Sequence, residues 1–168
     1  MSKKLWKIKD AETSSQIDEF LIDEDIQLDK DLFLFDIEAT TAHIKGLESI
    51  GVLNSSELNK LLKSLKSLSK DFEDGSFELT TEFEDCHSAI EFYLIDQLGD
   101  LGKKVHTGRS RNDQVLVAMR LYTKSNLQLF KDLNIDIARA FLDQAEKNKD
   151  VPMPGYTHLQ RAMPSSWG

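Results

Sequence analysis

One cysteine, Cys86, stands alone in this 168-residue chain, so no intrachain disulfide can form and a reducing compartment is expected. Prolines number three and glycines eight, too few for the dense turns of an all-β design, so helix is expected to dominate. Basic residues are also scarce: 21 Lys and Arg face 29 Asp and Glu, giving a net charge of −8. That balance argues against a general nucleic-acid or anionic-membrane surface, although a local group of arginines can still hold an anion. No apolar run approaches the roughly 20 residues that span a bilayer. The basic start, Met1 to Lys7, is not followed by the apolar stretch of a signal peptide. A soluble cytoplasmic protein is expected, and 40% hydrophobic with 30% charged residues is ordinary for a globular domain with a core.

What is present is helical periodicity. Met1 to Thr13 is polar and reads as an arm, followed by a short helix from Ser14 to Ile22. From Leu28 to Ile50, Leu32, Phe35, Ala39 and Ala42 form a stripe that Leu34, Ile37, Ile44 and Leu47 widen, with Gly51 as the stop. Asn54 and Glu57 make a capping-box start for a helix striped by Leu58, Leu61, Leu62, Leu65, Leu68 and Phe72, ended by Asp74-Gly75. A further helix is expected from about Phe83 to Leu98, closed by Gly99 and Gly102. Asp113 to Val151 contains neither Gly nor Pro, and Pro152 and Pro154-Gly155 end it. A helix of about 35 residues is about 50 Å long, more than one small domain covers, so it calls for a bundle partner. A polar motif begins at Tyr156 and nothing follows to bury the long helix, so this chain is expected to be the front part of a larger protein.

The densest polar stretch is His106-Thr107-Gly108-Arg109-Ser110-Arg111-Asn112-Asp113-Gln114, directly before that long helix. Its glycine gives a turn, its arginines give fork-shaped donors, and a helix start adds free N–H groups and the positive end of the dipole. It reads as an anion-binding loop with Asp113 placed to orient an arginine; a capped helix start with a solvated arginine pair is the plainer alternative. In Thr157-His158-Leu159-Gln160 the imidazole suits a general acid or base, against a merely hydrogen-bonded histidine. In Glu84-Asp85-Cys86-His87-Ser88-Ala89-Ile90-Glu91, helical spacing puts Glu84 and Glu91 on the face of His87. One histidine is too little for a metal site, and Cys86 reads as buried packing. Thr40 and His43, three apart on an apolar helix, are most simply back-bonded or surface-facing.

Together these segments resemble the argininosuccinate lyases of the fumarase/aspartase superfamily. The likeness rests on Asp36-Ile37-x-x-Thr40-x-Ala42-His43, on Glu84-Asp85-x-His87-x-x-Ile90-Glu91, on Thr107 to Gln114, and on Pro154-Gly155-Tyr156-Thr157-His158-Leu159-Gln160-Arg161-Ala162. It covers nearly the whole chain after the arm, but only the front part of the family's length.

The resemblance implies reversible β-elimination of argininosuccinate to arginine and fumarate, in arginine biosynthesis, with no metal and no organic cofactor. It implies a mainly α fold: an N-terminal helical domain over residues 1–104, then the first part of a central long-helix bundle over 105–168. The bundle is shared in a homotetramer whose subunits jointly build each active site. Carried over by position, Ser110, Arg111 and Asn112 match substrate-carboxylate contacts and Thr157 a substrate-binding threonine. Thr40 matches a serine of the first motif, and His158 matches the histidine of acid–base catalysis. His87, Arg109 and Gln160 take supporting roles.

Ala39-Thr40 departs from the family's Gly-Ser. The family's third motif, with its catalytic serine, does not occur here, so the 168-residue chain by itself is expected to be inactive. The alternatives are a non-enzymatic, crystallin-like relative or another fumarate-releasing lyase. A nucleic-acid module using Arg109 and Arg111 is disfavoured by the acidic balance.

Overall fold

The computed structural model describes residues 15–168, with side chains from residue 25 onward; the expected arm and Ser14 lie outside the described residues. Helix dominates, as α1 (Ser15–Ser49), α2 (Ser55–Glu73), α3 (Cys86–Leu98), α4 (Asp100–Lys103) and α5 (Arg111–Lys147). A 3-10 turn, Lys104–His106, precedes α5, and the strands β1 (Pro152–Thr157) and β2 (Gln160–Ser166) follow it. Packing divides the chain into two compact units, Met1–Thr123 and Lys124–Gly168.

In the first unit the expected short helix and its successor are one. Between Ile22 and Leu28 there is neither Gly nor Pro, so the i→i−4 ladder has no reason to break. α1, which ends at Ser49, is stopped by Gly51 (φ 79°), with Val52 N–H donating to Leu47 C=O and Gly51 N–H to Glu48 C=O. This is a Schellman stop, which needs a residue that tolerates the left-handed conformation.

The buried stripe of α1 is the expected one only in part. Ile37, Ala39, Ile44 and Leu47 face inward as expected, joined by Ile26, Phe33, Asp36 and Thr40, while Leu32, Leu34 and Phe35 are half-buried and Ala42 is exposed. The inner face is rotated because α2 and α3 both pack on it, and periodicity alone cannot tell an apolar stripe from a neighbouring one.

α2 starts with the expected reciprocal box, Asn54 bonding Glu57 N–H and Glu57 returning to Asn54 N–H. Leu61, Leu65 and Leu68 fill the core against Phe33 and, from α3, Ala89, Ile90 and Leu94. α3 starts at Cys86 rather than Phe83, because Asp85 caps it, exchanging bonds with Ser88.

In the second unit α5 ends at Lys147, before any proline. Asn148 takes over there, its side-chain amide donating to Gln144 C=O at 2.8 Å. The chain then forms an antiparallel hairpin, Pro152 opposite Ser166 and Thr157 opposite Gln160. Two proline-bearing strands pair because each is an edge whose missing N–H groups face outward. Gly155 lies at the register shift, and a Cβ there would come within 2.6 Å of Met163 C=O. The two central turn residues, His158 and Leu159, have φ 49° and 63°, as a tight type I′ turn demands.

Candidate active site

Within the first unit, three separated segments bring their polar residues to one place. α1 supplies Asp36 and Thr40, four apart and so stacked on its inner face, both fully buried. The start of α3 supplies His87, also buried, and the loop before α5 supplies Arg109.

The bonds run in one direction. Arg109 Nη2 donates to Thr40 Oγ1 at 3.0 Å, Thr40 Oγ1 donates to Asp36 Oδ1 at 3.4 Å, and His87 Nδ1 donates to Asp36 Oδ2 at 2.6 Å. Thr40 is therefore neither back-bonded nor at the surface; a buried hydroxyl takes the strongest acceptor within reach. His87 takes its carboxylate from Asp36, 51 residues away, instead of from Glu84 or Glu91. Glu84 precedes the helix, so helical spacing does not apply to it.

The loop itself is a capped helix start. Ser110 N–H and Oγ donate to Asp113 Oδ2 at 2.9 and 3.0 Å, and Asp113 N–H returns to Ser110 Oγ at 3.4 Å. Asp113 thus serves the cap and makes no hydrogen bond to an arginine, and these bonds hold its carboxyl below the usual range. With Asp113 N–H taken, Arg111 and Asn112 keep the remaining first-turn N–H groups for an anion at the positive end of α5. Gly108 (φ 71°) makes the bend that aims Arg109 back at α1 while Ser110 opens the new helix. Arg111 reaches Asp85, the cap of α3, through Nη1, leaving four of its guanidinium N–H groups for other partners.

Beside this cluster a cleft of about 260 Å³ is lined by Ala39, His43, Gly108, Arg109, Asp113 and Val117. His43 Nε2 donates to Thr107 C=O at 3.0 Å, tying α1 to the loop. Burial, then the nearby Arg109 charge, keeps the His43 imidazole below its ordinary pKa. Burial also lowers the pKa of the Arg109 guanidinium, opposed by the carboxylates of Asp36, Asp113 and Glu91. Among the described residues, Arg109 Nε and Gln114 Oε1 are buried and find no protein partner.

Asp36, Cys86 and His87 hold possible ligand atoms within 4.8 Å of one another. His87 Nδ1 is already committed to Asp36, and burial with the Asp36, Asp29 and Asp85 carboxylates pushes the Cys86 thiol far up. A protonated thiol is a poor ligand, so this donor set suits a hydrogen-bonded cluster better than a metal ion.

Of the residues singled out from sequence, Thr40, His87 and Arg109 are joined in one network, and Ser110, Arg111 and Asn112 form the adjoining helix start. Thr157, His158 and Gln160 lie at the hairpin tip of the second unit. His158 and Leu159 keep a left-handed backbone without being glycine, and Leu159 is fully exposed at 100%. Such strain is characteristic of functional turns. Sequence reasoning gave no role to Asp36; its signals were its place at the head of the Asp36-Ile37-x-x-Thr40 motif and a carboxylate four residues before a threonine in an apolar stretch.

A family model described as lyase matches residues 4–168. Over all 168 residues the chain is 49% identical to the argininosuccinate lyase of Stenotrophomonas maltophilia (strain K279a) and 48% identical to that of Xanthomonas oryzae pv. oryzae (strain PXO99A). In each case the match covers 100% of this chain and 39% of the relative, so the chain spans about two fifths of the length of these curated relatives.

Proposed function

The chain belongs to the lyase family of the fumarase/aspartase type, and from that premise we propose that the complete protein is an argininosuccinate lyase. It eliminates arginine from argininosuccinate to leave fumarate, the closing step of arginine biosynthesis. The observation that carries this reading is the 49% identity over an alignment that spans all 168 residues of the chain.

The substrate presents three carboxylates and a guanidinium group. The first-turn N–H groups of α5, with the Arg111 guanidinium and the Asn112 amide, suit one carboxylate, and Ser110 joins them by turning its hydroxyl from Asp113. Removing a proton beside a carboxylate builds negative charge on it, and donors already aimed there lower the barrier. Thr157 supplies a further hydroxyl contact, whereas the buried Thr40 spends its hydroxyl on Asp36 and Arg109 and so acts on the substrate only through them. His158 exchanges protons with the reacting groups as general acid or base. His87, Arg109 and Gln160 hold these contacts in place. The family's catalytic serine is not among these 168 residues, so proton abstraction by that group falls to the rest of the complete protein. The reading uses no metal or organic cofactor.

Among the described residues no helix is long and apolar enough to cross a membrane. We place the complete protein in the cytoplasm, as a homotetramer whose central bundle domain begins near Val105. The exposed apolar side chains of α5 support that assembly.

The test is fumarate release from argininosuccinate by the complete protein, by the 168-residue chain, and by complete protein carrying His158→Asn. The complete protein is expected to be active, the 168-residue chain silent, and the variant at least about 100-fold slower, the usual scale of a lost proton-transfer group. A silent complete protein sinks the assignment, and turnover by the 168-residue chain sinks the requirement for the family's serine.

A further inference from the structure

We propose that Asp36 is the positioning residue of this site, orienting His87 with one carboxylate oxygen and, through the Thr40 hydroxyl, Arg109 with the other. The proposal rests on the lyase reading above, since it gives the oriented groups a substrate to meet.

The network has a polarity that only a two-oxygen acceptor satisfies. Arg109, Thr40 and His87 all donate along it, and every path ends on Asp36. Thr40 gives its one proton to Asp36 Oδ1, which leaves its oxygen free to accept from Arg109 Nη2. His87 gives its Nδ1 proton to Asp36 Oδ2, so the ring is held as one tautomer with Nε2 left to face another group. Asp36 is 0% exposed. Stability alone does not explain a carboxylate there, because well-packed apolar replacements of buried charged groups are often neutral or stabilising. The partners come from the start of α3 and from the loop before α5, so one side chain fixes both elements against α1.

Asparagine has the shape of aspartate but only one acceptor atom. In Asp36→Asn the new amide N–H₂ faces either His87 Nδ1–H or the Thr40 hydroxyl. The first case forces the ring into the other tautomer; the second takes away the acceptor of the Thr40 proton and turns the hydroxyl, which disturbs its hold on Arg109.

The test uses the complete protein as parent, Asp36→Asn, Thr40→Val, the double variant, and Leu61→Val as a control that loosens the core from α2. Steady-state fumarate release, melting temperature, and the NMR signals of the His87 ring nitrogens and the Arg109 guanidinium are read on each. For Asp36→Asn a fall in kcat/KM of ten-fold or more is expected, with a loss at matched melting temperature that Leu61→Val does not show. The double variant is expected to be no worse than the poorer single, as for residues acting in one chain. Asp36→Asn kinetics within two-fold of the parent overturn the proposal, as does an equal loss in Leu61→Val at equal melting temperature.

Should Asp36→Asn fail to fold, Thr40→Val decides, with a raised KM expected and an unchanged KM overturning. A silent parent refutes the lyase reading instead. The NMR signals still judge Asp36 in that event, since His87 and Arg109 signals both unchanged in Asp36→Asn overturn its role whatever the substrate.

Discussion

At Thr40 a hydroxyl that could have bonded its own helix backbone instead gives its proton to Asp36 and accepts from Arg109. His43, one turn further along α1, bridges to Thr107 C=O and is held below its ordinary pKa by burial. A histidine whose folded pKa is depressed stays neutral in the native state and takes up a proton on unfolding, so stability rises with pH through that range. His43 therefore contributes stability above its unfolded pKa of about 6.5 that is lost as pH falls below it. Denaturant unfolding between pH 8 and pH 5 is expected to show this loss in the parent and a flatter profile in His43→Gln. An identical slope in both removes His43 from the account. None of these pairings was legible in sequence, because Asp36 and His87 are 51 residues apart and only folding brings them to 2.6 Å.

Capping rules made most elements readable. The Asn54–Glu57 box and the Gly51 stop stand where local chemistry puts them, since both depend on residues within one turn. Ser110 is the element-scale case in which the cap and the proposed site share one side chain. Replacing it by Ala removes the cap and is expected to cost about 1 kcal/mol, roughly 2–4 °C in melting temperature for a chain of this size. Ser110→Gly is expected to cost only a few tenths of that energy, as glycine is tolerated at a helix start. Both variants lose the hydroxyl, so in the complete protein both are expected to lose substrate affinity alike. If Ser110→Gly keeps the parent KM, the hydroxyl serves α5 alone. The hairpin was missed in sequence because prolines count against strands, and that rule lapses when both strands are edges.

On the scale of the whole molecule, α5 carries its apolar side chains outward. Leu127, Phe130, Phe141 and Leu142 are all more than half exposed, on a unit that offers them no cover of its own. Apolar groups at that density are stable in water only when another surface takes them up. In the complete protein Phe141→Lys is expected to shift the assembly toward smaller species in sedimentation velocity and to lower fumarate release with it. Assembly and activity both unchanged would mean that this part of α5 is not a subunit contact.

Helical class, the Asn54–Glu57 box, the Gly51 stop, the long α5 and the family follow from the order of residues alone, because periodicity, capping chemistry and motif spacing are local properties of the chain. Tertiary structure decided the rest: which stripe of α1 turns inward, that α1 is one helix through Asp25, and that Asp36 lies under Thr40, His87 and Arg109. The reason is that several faces of α1 are apolar enough to bury. Only the packing of α2 and α3 against it, and the partners they bring for two buried polar groups, selects one.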